Sequence, residues 1–141
     1  MRVFADTSAV VKLYADEPGF DQIRDIAAMY LCELSRVEVP AALWRKNRIG
    51  ELAATSVGVL VQAFENEYIS AAGRFAVVRL TGEILDRAAG LAAIHGLRAY
   101  DAIQLATALT VRHIDNELDT FACFDQQLSD AAIREGLQVF P

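Results

Sequence analysis

The stretch Val3-Phe4-Ala5-Asp6-Thr7-Ser8 joins a short apolar run to a carboxylate and then to two hydroxyl side chains. An unbroken apolar run is typical of a parallel strand that helices cover on both faces. Thr7 or Ser8 can cap a helix over residues 9–14, so Asp6 is expected where a strand ends and a helix begins. Ligands of open α/β sheets bind at such places. A single Asp there can equally be an ordinary loop acid, so its partners have to decide.

The composition is that of a compact protein. A chain of 141 residues suits one domain over residues 1–141 with a continuous core. With 54% apolar and 23% charged residues it does not belong to the disordered class. Thirteen Lys and Arg against nineteen Asp and Glu give a net charge of −6, which argues against a broad basic surface for nucleic acid. A nucleic-acid substrate bridged by a metal ion stays open.

Cysteine usage and the N-terminus bear on the compartment. Cys32 and Cys123 each lie in an apolar run, without the spacing of a zinc site or the density of a disulfide scaffold, and are expected to be reduced core residues. The chain opens directly on the first predicted strand, and no apolar run reaches membrane-spanning length. We therefore expect a cytoplasmic protein that does not enter a membrane.

Short apolar runs and helical patterns alternate along the chain. Further strands are predicted over residues 29–32, 75–78, 121–124 and 137–140. The helices between them are predicted near residues 20–27, 35–46, 51–72 with Gly58 as a possible break, 83–94 with Thr81 as cap, 97–109 and 127–135. This alternation predicts an α/β fold, a three-layer α/β/α sandwich with a mainly parallel sheet of four or five strands.

Three further acids occupy positions like that of Asp6. Asp125 follows a predicted strand, as Asp6 does. Glu38 lies three residues after Ser35 in a capping-box pattern at the start of a helix. Asp101 heads the apolar stripe of a helix expected to be buried, where an unpaired carboxylate is costly, although an acid in a first turn also complements the helix dipole. Crossover handedness makes one edge of the sheet the expected meeting place of all four acids.

Such a meeting of acids has a chemical consequence. Four carboxylates at one place repel one another, so either some are protonated or a divalent cation neutralises them. An all-oxygen set without a Cys or His cluster favours Mg²⁺ or Mn²⁺ over zinc. An ion of this kind activates water and stabilises charge on a phosphate, which is the chemistry of metal-dependent nucleases.

The basic residues and histidines give weaker signals. Arg45, Lys46 and Arg48 cluster at the end of a predicted helix, where cations complement the helix dipole. They are also the densest basic patch available to a polyanion, and the pattern does not choose between the two roles. His95 and His113 lie near helix ends and are not expected to be catalytic.

Four stretches that carry the acids follow one another in order: Phe4-Ala5-Asp6-Thr7-Ser8-Ala9-Val10-Val11, Ser35-Arg36-Val37-Glu38-Val39, Leu97-Arg98-Ala99-Tyr100-Asp101-Ala102-Ile103-Gln104-Leu105-Ala106 and Phe124-Asp125-Gln126-Gln127-Leu128. This ordered set extends over essentially the entire chain. It resembles the PIN-domain ribonucleases, and among them most closely the VapC toxins of bacterial type II toxin–antitoxin systems. The resemblance implies endonucleolytic cleavage of RNA, a homodimer, and inhibition by a cognate VapB-like antitoxin.

The resemblance also implies a set of site residues. Asp6, Glu38, Asp101 and Asp125 would form an Mg²⁺ or Mn²⁺ site, with Ser8 as a polar helper. We predict that Asp6 and Asp101 bind the principal ion directly, while Glu38 orients the attacking water or a second ion. Asp125 would complete the set of ligands.

Two positions depart from the family pattern. Many relatives carry Thr or Ser where this chain has Cys123, and many carry His where it has Gln104. Neither change removes a carboxylate. The missing hydroxyl makes Asp125 the least secure of the four ligands, because it removes a group that could orient that acid.

Two other functions compete with the nuclease. One is a catalytically degenerate PIN fold that binds RNA or protein as a scaffold, and retention of all four acids argues against it. The other is phosphatase or phosphotransfer chemistry on a different α/β fold. It calls for an Asp nucleophile near a Lys, but Lys12 and Lys46 are the only lysines. Lys12 is expected to lie away from the acids.

Overall fold

The computed structural model describes residues 1–141 and contains five strands in one parallel sheet. The strands are β1 (Arg2–Ala5), β2 (Met29–Cys32), β3 (Phe75–Val78), β4 (Leu118–Ala122) and β5 (Gln138–Phe140). Their order across the sheet is β3-β2-β1-β4-β5, and each neighbouring pair is parallel. The predicted α/β class is confirmed, and the sheet has the larger of the two expected strand numbers.

Seven helices connect the strands and cover both faces of the sheet. They are α1 (Thr7–Val11), α2 (Phe20–Arg24), α3 (Ser35–Arg48), α4 (Ala54–Ile69), α5 (Gly82–His95), α6 (Ala99–Ile114) and α7 (Gln126–Arg134). No helix of the protein combines the length and the apolar character that crossing a bilayer requires.

The first strand shows how the three layers form. Val3 and Ala5 belong to an apolar cluster with α1 to α4, whereas Phe4 belongs to a second cluster with α5 to α7. Successive side chains of a strand point to opposite faces, so a strand buried on both faces must be apolar at every position. On the second face Phe4 stacks on Phe121 of β4, with ring centroids 5.7 Å apart. The unbroken apolar run of β1 is therefore explained by its central place in the sheet.

The order of the strands creates a crevice beside β1. The chain runs from β1 through β2 to β3 on one side, then returns to add β4 and β5 on the other side. Between β1 and β4 the direction of the connections reverses, and ligands of open α/β sheets bind at the carboxyl ends of such strands. Asp6 directly follows β1, and Asp125 lies three residues after β4. The fold thus brings the two strand-terminal acids to one crevice.

The caps of two helices differ from the prediction. Asp6 itself caps α1, because its carboxylate accepts a hydrogen bond of 3.0 Å from the backbone of Ala9, and neither Thr7 nor Ser8 has that role. The expected capping box of α3 is also absent. Its N-cap residue is Leu34, which makes no side-chain cap hydrogen bond. In both cases the predicted capping hydroxyl lies one or two residues inside the helix.

Other element boundaries also differ. β4 ends at Ala122 rather than at residue 124, because the following residues turn so that Asp125 can cap α7. α6 runs on to Ile114, and Gly58 lies inside α4 without breaking it. The boundaries of β2 and β3 and the capping of α5 by Thr81 are confirmed.

Candidate active site

All four predicted acids line one cleft at the crevice between β1 and β4. The cleft has a volume of about 460 Å³, and its walls include Asp6, Glu38, Asp101 and Asp125 together with Ser8. Asp6 and Asp125 reach it from the ends of two strands, and Glu38 and Asp101 from the first turns of α3 and α6. The acids that the sequence singles out are therefore neighbours in the structure.

Asp6 is the most buried of the four acids, with 4% of its surface exposed. One carboxylate oxygen accepts hydrogen bonds from the Ser8 hydroxyl at 2.7 Å and from the Ala9 backbone, and the other accepts one from the Cys123 thiol at 3.4 Å. Burial raises the pKa of Asp6 to about 6, although these three hydrogen bonds act in the opposite direction. All of its partners are neutral, so a buried negative charge at neutral pH has no cation beside it.

Ser8 connects Asp6 to the loop between β4 and α7. Its hydroxyl donates to Asp6 and accepts a hydrogen bond of 2.9 Å from the backbone N–H of Phe124. That loop carries Asp125, whose carboxylate caps α7 by accepting from the N–H of Leu128 at 2.9 Å. Ser8 therefore links the acid of one strand end to the segment that holds the acid of the other.

Glu38 is held by two neutral donors. One of its carboxylate oxygens, Oε1, accepts hydrogen bonds from the Thr7 hydroxyl at 2.9 Å and from the Gln104 side-chain amide at 2.8 Å. Gln104 is 2% exposed, and the same amide nitrogen lies within 3.3 Å of the Ser35 hydroxyl. The carbonyl oxygen of the Gln104 side chain is buried without a hydrogen-bond partner.

Asp101 and Asp125 share a single cation, Arg98. The guanidinium Nε lies 3.3 Å from Asp101 Oδ2, and Nη2 lies 4.0 Å from Asp125 Oδ2. Burial raises the pKa of Asp101, Arg98 opposes the rise, and the charge of Asp125 adds to it. The two acids are thus close enough for the charge of Asp125 to affect the ionisation of Asp101.

The arrangement is a cleft shared by acids and not a finished metal centre. No three acidic, cysteine or histidine side chains are close enough together to hold a metal ion. The donor set nevertheless fits a hard cation, because carboxylate and amide oxygens are the ligands that Mg²⁺ and Mn²⁺ prefer. The buried Asp6, which has no cation beside it, is the feature that such an ion would satisfy.

A second wall of the cleft is basic and includes Lys12. The expectation that Lys12 lies away from the acids is therefore wrong. Lys12 lines the same cleft with a side chain only 9% exposed, pairs with Glu17 at 3.0 Å and lies 4.3 Å from the ring centre of Phe124. Lys46 also pairs with Glu17. Burial acts to raise the pKa of Glu17, but the two lysines outweigh it and the pKa is lowered. Lys12 is therefore held by Glu17 and not by an acid that could act as a phosphotransfer nucleophile.

Several residues that line the cleft had no role that the sequence pattern could decide. Of the basic cluster in α3, Arg45 and Lys46 line the cleft and Arg48 does not. The sequence marks Gln104 only as a departure from the family pattern. Its position three residues after Asp101 places both on one face of a helix, and that spacing is the signal that could have found it.

Comparisons with known proteins agree with this architecture. A family model described as PIN domain matches residues 3–133. No curated protein matches the chain. Three solved structures resemble it over at least 99% of its length. PAE2754 from Pyrobaculum aerophilum has 20% identity and a TM-score of 0.65, with 89% of that chain covered. Mycobacterium tuberculosis VapC20, described as a sarcin-ricin loop cleaving toxin, has 16% identity and a TM-score of 0.67, with 99% of that chain covered, and FitAcB from Neisseria gonorrhoeae has 21% identity and a TM-score of 0.65, with 97% covered.

At these identities the structural likeness shows the fold. The family follows from the match of the domain model to nearly the whole sequence, and the four acids of the cleft lie within the matched residues. This chain belongs to the PIN domain family.

Proposed function

We propose that this protein is a metal-dependent endoribonuclease and the toxin of a toxin–antitoxin pair. The observation that carries the proposal is the single cleft lined by Asp6, Glu38, Asp101 and Asp125, in which the buried Asp6 has no cation partner. Membership of the PIN family supports a nuclease, and the likeness to VapC20, which is described as a sarcin-ricin loop cleaving toxin, supports RNA as the substrate.

The proposed roles follow from the contacts of each side chain. Asp6 and Asp101 would hold Mg²⁺ or Mn²⁺, and Asp125 would complete the set of ligands. When bound, such an ion activates water for attack on phosphorus and stabilises the charge that develops on the phosphate. Glu38 receives both of its hydrogen bonds at Oε1, so Oε2 is the oxygen available to orient the attacking water and accept its proton. Ser8 keeps Asp6 in place and fixes the loop that carries Asp125.

The proposal includes partners. We expect a cognate VapB-like antitoxin to cover the cleft, since a cationic side chain of a partner would compensate the carboxylates that line it. We also expect a homodimer, as the family resemblance implies, and activity in the cytoplasm, where the RNA substrate is found. Co-expression with any small protein encoded beside it, followed by co-purification, tests the antitoxin. Light scattering tests the dimer.

The first experiment is RNA cleavage by the purified protein. Structured RNAs, including tRNAs and an rRNA sarcin–ricin stem-loop, are incubated over a range of Mg²⁺ and Mn²⁺ concentrations, with a chelator and with Asp6→Asn as controls. The proposal predicts cleavage that needs both the ion and Asp6. Cleavage that persists in the chelator or in the Asp6→Asn protein would overturn it.

A second candidate function is a scaffold that binds RNA or protein without cleaving it. Two observations favour it: no three acids are close enough to hold a metal ion, and Arg98 already pairs with two of the four acids. A scaffold predicts RNA or partner binding that is unchanged by Mg²⁺, with no cleavage of any RNA offered.

A further inference from the structure

Arg98 is the only basic side chain that contacts any of the four acids of the cleft. It is the N-cap residue of α6, and its guanidinium lies between Asp101 of α6 and Asp125, the cap of α7. Its side chain is 81% exposed, so most of it projects into solvent at the mouth of the cleft. Arg98 thus joins two acids from different elements without being fixed by packing.

Such an exposed contact is easily broken. Exposed ion pairs contribute little to stability, because water screens the charges and a long side chain loses rotational freedom on pairing. A guanidinium and a divalent cation that seek the same carboxylates also repel each other. Arg98 must therefore leave Asp101 and Asp125, at small cost, when a divalent cation binds to them.

A displaced Arg98 remains at the rim of the cleft. Its planar guanidinium carries five N–H donors in a fork that matches the oxygens of a phosphate. A charge-assisted contact to phosphate is stronger than a neutral hydrogen bond. An RNA strand whose scissile phosphate lies over the acids would present its next phosphate at the rim.

Building on the proposed function, we propose that Arg98 exchanges partners: it neutralises Asp101 and Asp125 in the metal-free protein and binds an RNA phosphate beside the scissile bond once the metal is bound. The exchange lowers the affinity for metal alone. It makes the binding of metal and of RNA favour each other, because RNA gives the displaced guanidinium a new anion.

The metal part of the inference is tested by Mn²⁺ binding to the whole protein, measured by calorimetry without RNA. Arg98→Gln should bind Mn²⁺ about threefold to fivefold more tightly, which corresponds to the loss of up to about 1 kcal/mol of competing ion pair. The Mn²⁺ affinity of Arg98→Lys should be close to that of the unmodified protein. Arg48→Gln is the matched control, since it removes an exposed arginine from α3 that does not line the cleft, and its Mn²⁺ affinity should not change.

The RNA part is tested by KM in saturating Mn²⁺ at several salt concentrations. Arg98→Gln should raise KM several-fold and reduce the slope of log KM against log salt by about 0.7, the share of one phosphate contact on a single strand. Arg98→Lys should keep the slope of the unmodified protein. Arg134→Gln, at an exposed arginine of α7 that does not line the cleft, should leave the slope unchanged.

The outcomes separate this inference from the function on which it rests. Mn²⁺ affinity of Arg98→Gln equal to that of Arg48→Gln would overturn the competition, and an unchanged KM and salt slope would overturn the phosphate contact, in a protein that still cleaves RNA. Absence of both Mn²⁺ binding and cleavage in the unmodified protein would overturn the proposed function and the partner exchange together.

Discussion

The side-chain amide of Gln104 donates a hydrogen bond of 2.8 Å to the carboxylate of Glu38, which joins α6 to α3 inside the cleft. Glu38 also accepts from the Thr7 hydroxyl, so two uncharged donors from different helices fix one of its oxygens. Neutral donors hold a carboxylate in place without cancelling its charge, unlike an arginine or lysine. Glu38 is therefore oriented and still able to attract a cation or a proton.

We predict that Gln104→Met, which keeps the volume of the side chain and removes its amide, lowers kcat by about 10-fold to 100-fold. The physical reason is that Glu38 loses one of its two orienting donors. The measurement is kcat at saturating Mn²⁺, with circular dichroism to verify the fold. Gln62→Met, which changes an exposed glutamine of α4 that pairs with Asn66, is the control and should leave kcat unchanged. Equal kcat in both variants would contradict the orienting role of Gln104.

Asp6→Asn should abolish cleavage and stabilise the metal-free protein at neutral pH. The pKa of Asp6 rises from 3.8 to about 6 on folding. The folded state therefore binds the proton more tightly than the unfolded state, and this group lowers stability as pH rises from about 4 to about 6. Above that range the cost is about 3 kcal/mol. Asn does not titrate and can still cap α1, so the variant escapes this cost.

The stability test is urea denaturation from pH 4 to pH 8 in a chelator. The difference between Asp6→Asn and the unmodified protein should grow between pH 4 and pH 6 and then stay constant. Mg²⁺ should stabilise the unmodified protein at pH 7.5, by about 2.7 kcal/mol at one hundred times its Kd, and should not stabilise the variant. Asp86→Asn, in an exposed position of α5, is the control. A pH-independent difference would show that Asp6 is not the titrating group.

Substitutions of Cys123 should move the acidic limb of the pH profile of kcat/KM at subsaturating Mn²⁺, where protons compete with the ion for Asp6. The thiol lies 3.4 Å from Asp6 Oδ2, and its hydrogen bond lowers the pKa of Asp6. Cys123→Val removes that donor, so the limb should move upward by about 0.5 pH units, equivalent to roughly 0.7 kcal/mol. Cys123→Ser keeps a donor and should leave the limb in place or move it downward. Cys32→Ala, at the other buried cysteine, should not move the limb. An acidic limb that is the same in Cys123→Val and the unmodified protein would contradict the hydrogen bond from Cys123 to Asp6.

Gly19→Ala should destabilise the protein more than Gly50→Ala. Both glycines have positive φ, of 91° and 81°, so both substitutions carry the cost of about 1 kcal/mol for a left-handed backbone. Only at Gly19 would the new Cβ meet another side chain, 2.6 Å from Cε1 of Phe124, whereas nothing lies within 4 Å of a Cβ at Gly50. Overpacking of this kind costs about 1–3 kcal/mol. Chemical denaturation of both variants measures the difference, and equal losses would exclude the clash.

Phe124 directly precedes Asp125, so the same pair of variants also reports on the cleft. A shift of the Phe124 ring displaces the loop that Ser8 holds through the Phe124 N–H. Gly19→Ala should therefore lower kcat/KM in addition to stability, and Gly50→Ala should lower stability alone.

Local patterns predict the strands and the positions of the acids well. The run Val3-Phe4-Ala5 is apolar at every position because both faces of β1 are covered, and burial of that kind is visible in the sequence. Asp6 and Asp125 follow strands that the topology places side by side, so their meeting also follows from simple rules of strand order.

Contacts between residues distant in sequence are not predictable in this way. Gln104 and Glu38 are 66 positions apart, and their hydrogen bond depends on the relative rotation of two helices. The prediction for Lys12 is wrong because the turn after α1, which brings Glu17 back to it, has no sequence signature of that pairing. The capping box at Ser35 fails for a related reason: the hydroxyl faces the buried Gln104 amide, and this tertiary contact outweighs the local motif.

Asp6 both caps α1 and supplies the most buried carboxylate of the cleft. These two roles limit which substitutions at position 6 can remove activity and leave the protein folded. In cells that survive by inactivating a harmful nuclease, many replacements at position 6 would remove the helix cap, and the destabilised protein would be degraded. Asn is one nucleotide change away from Asp and retains the cap, so under the proposed function Asp6→Asn would yield an inactive protein that accumulates and still binds the antitoxin. Sequencing of survivors, sorted by whether the protein accumulates, should find Asp6→Asn among the abundant products and apolar replacements of Asp6 among the degraded ones.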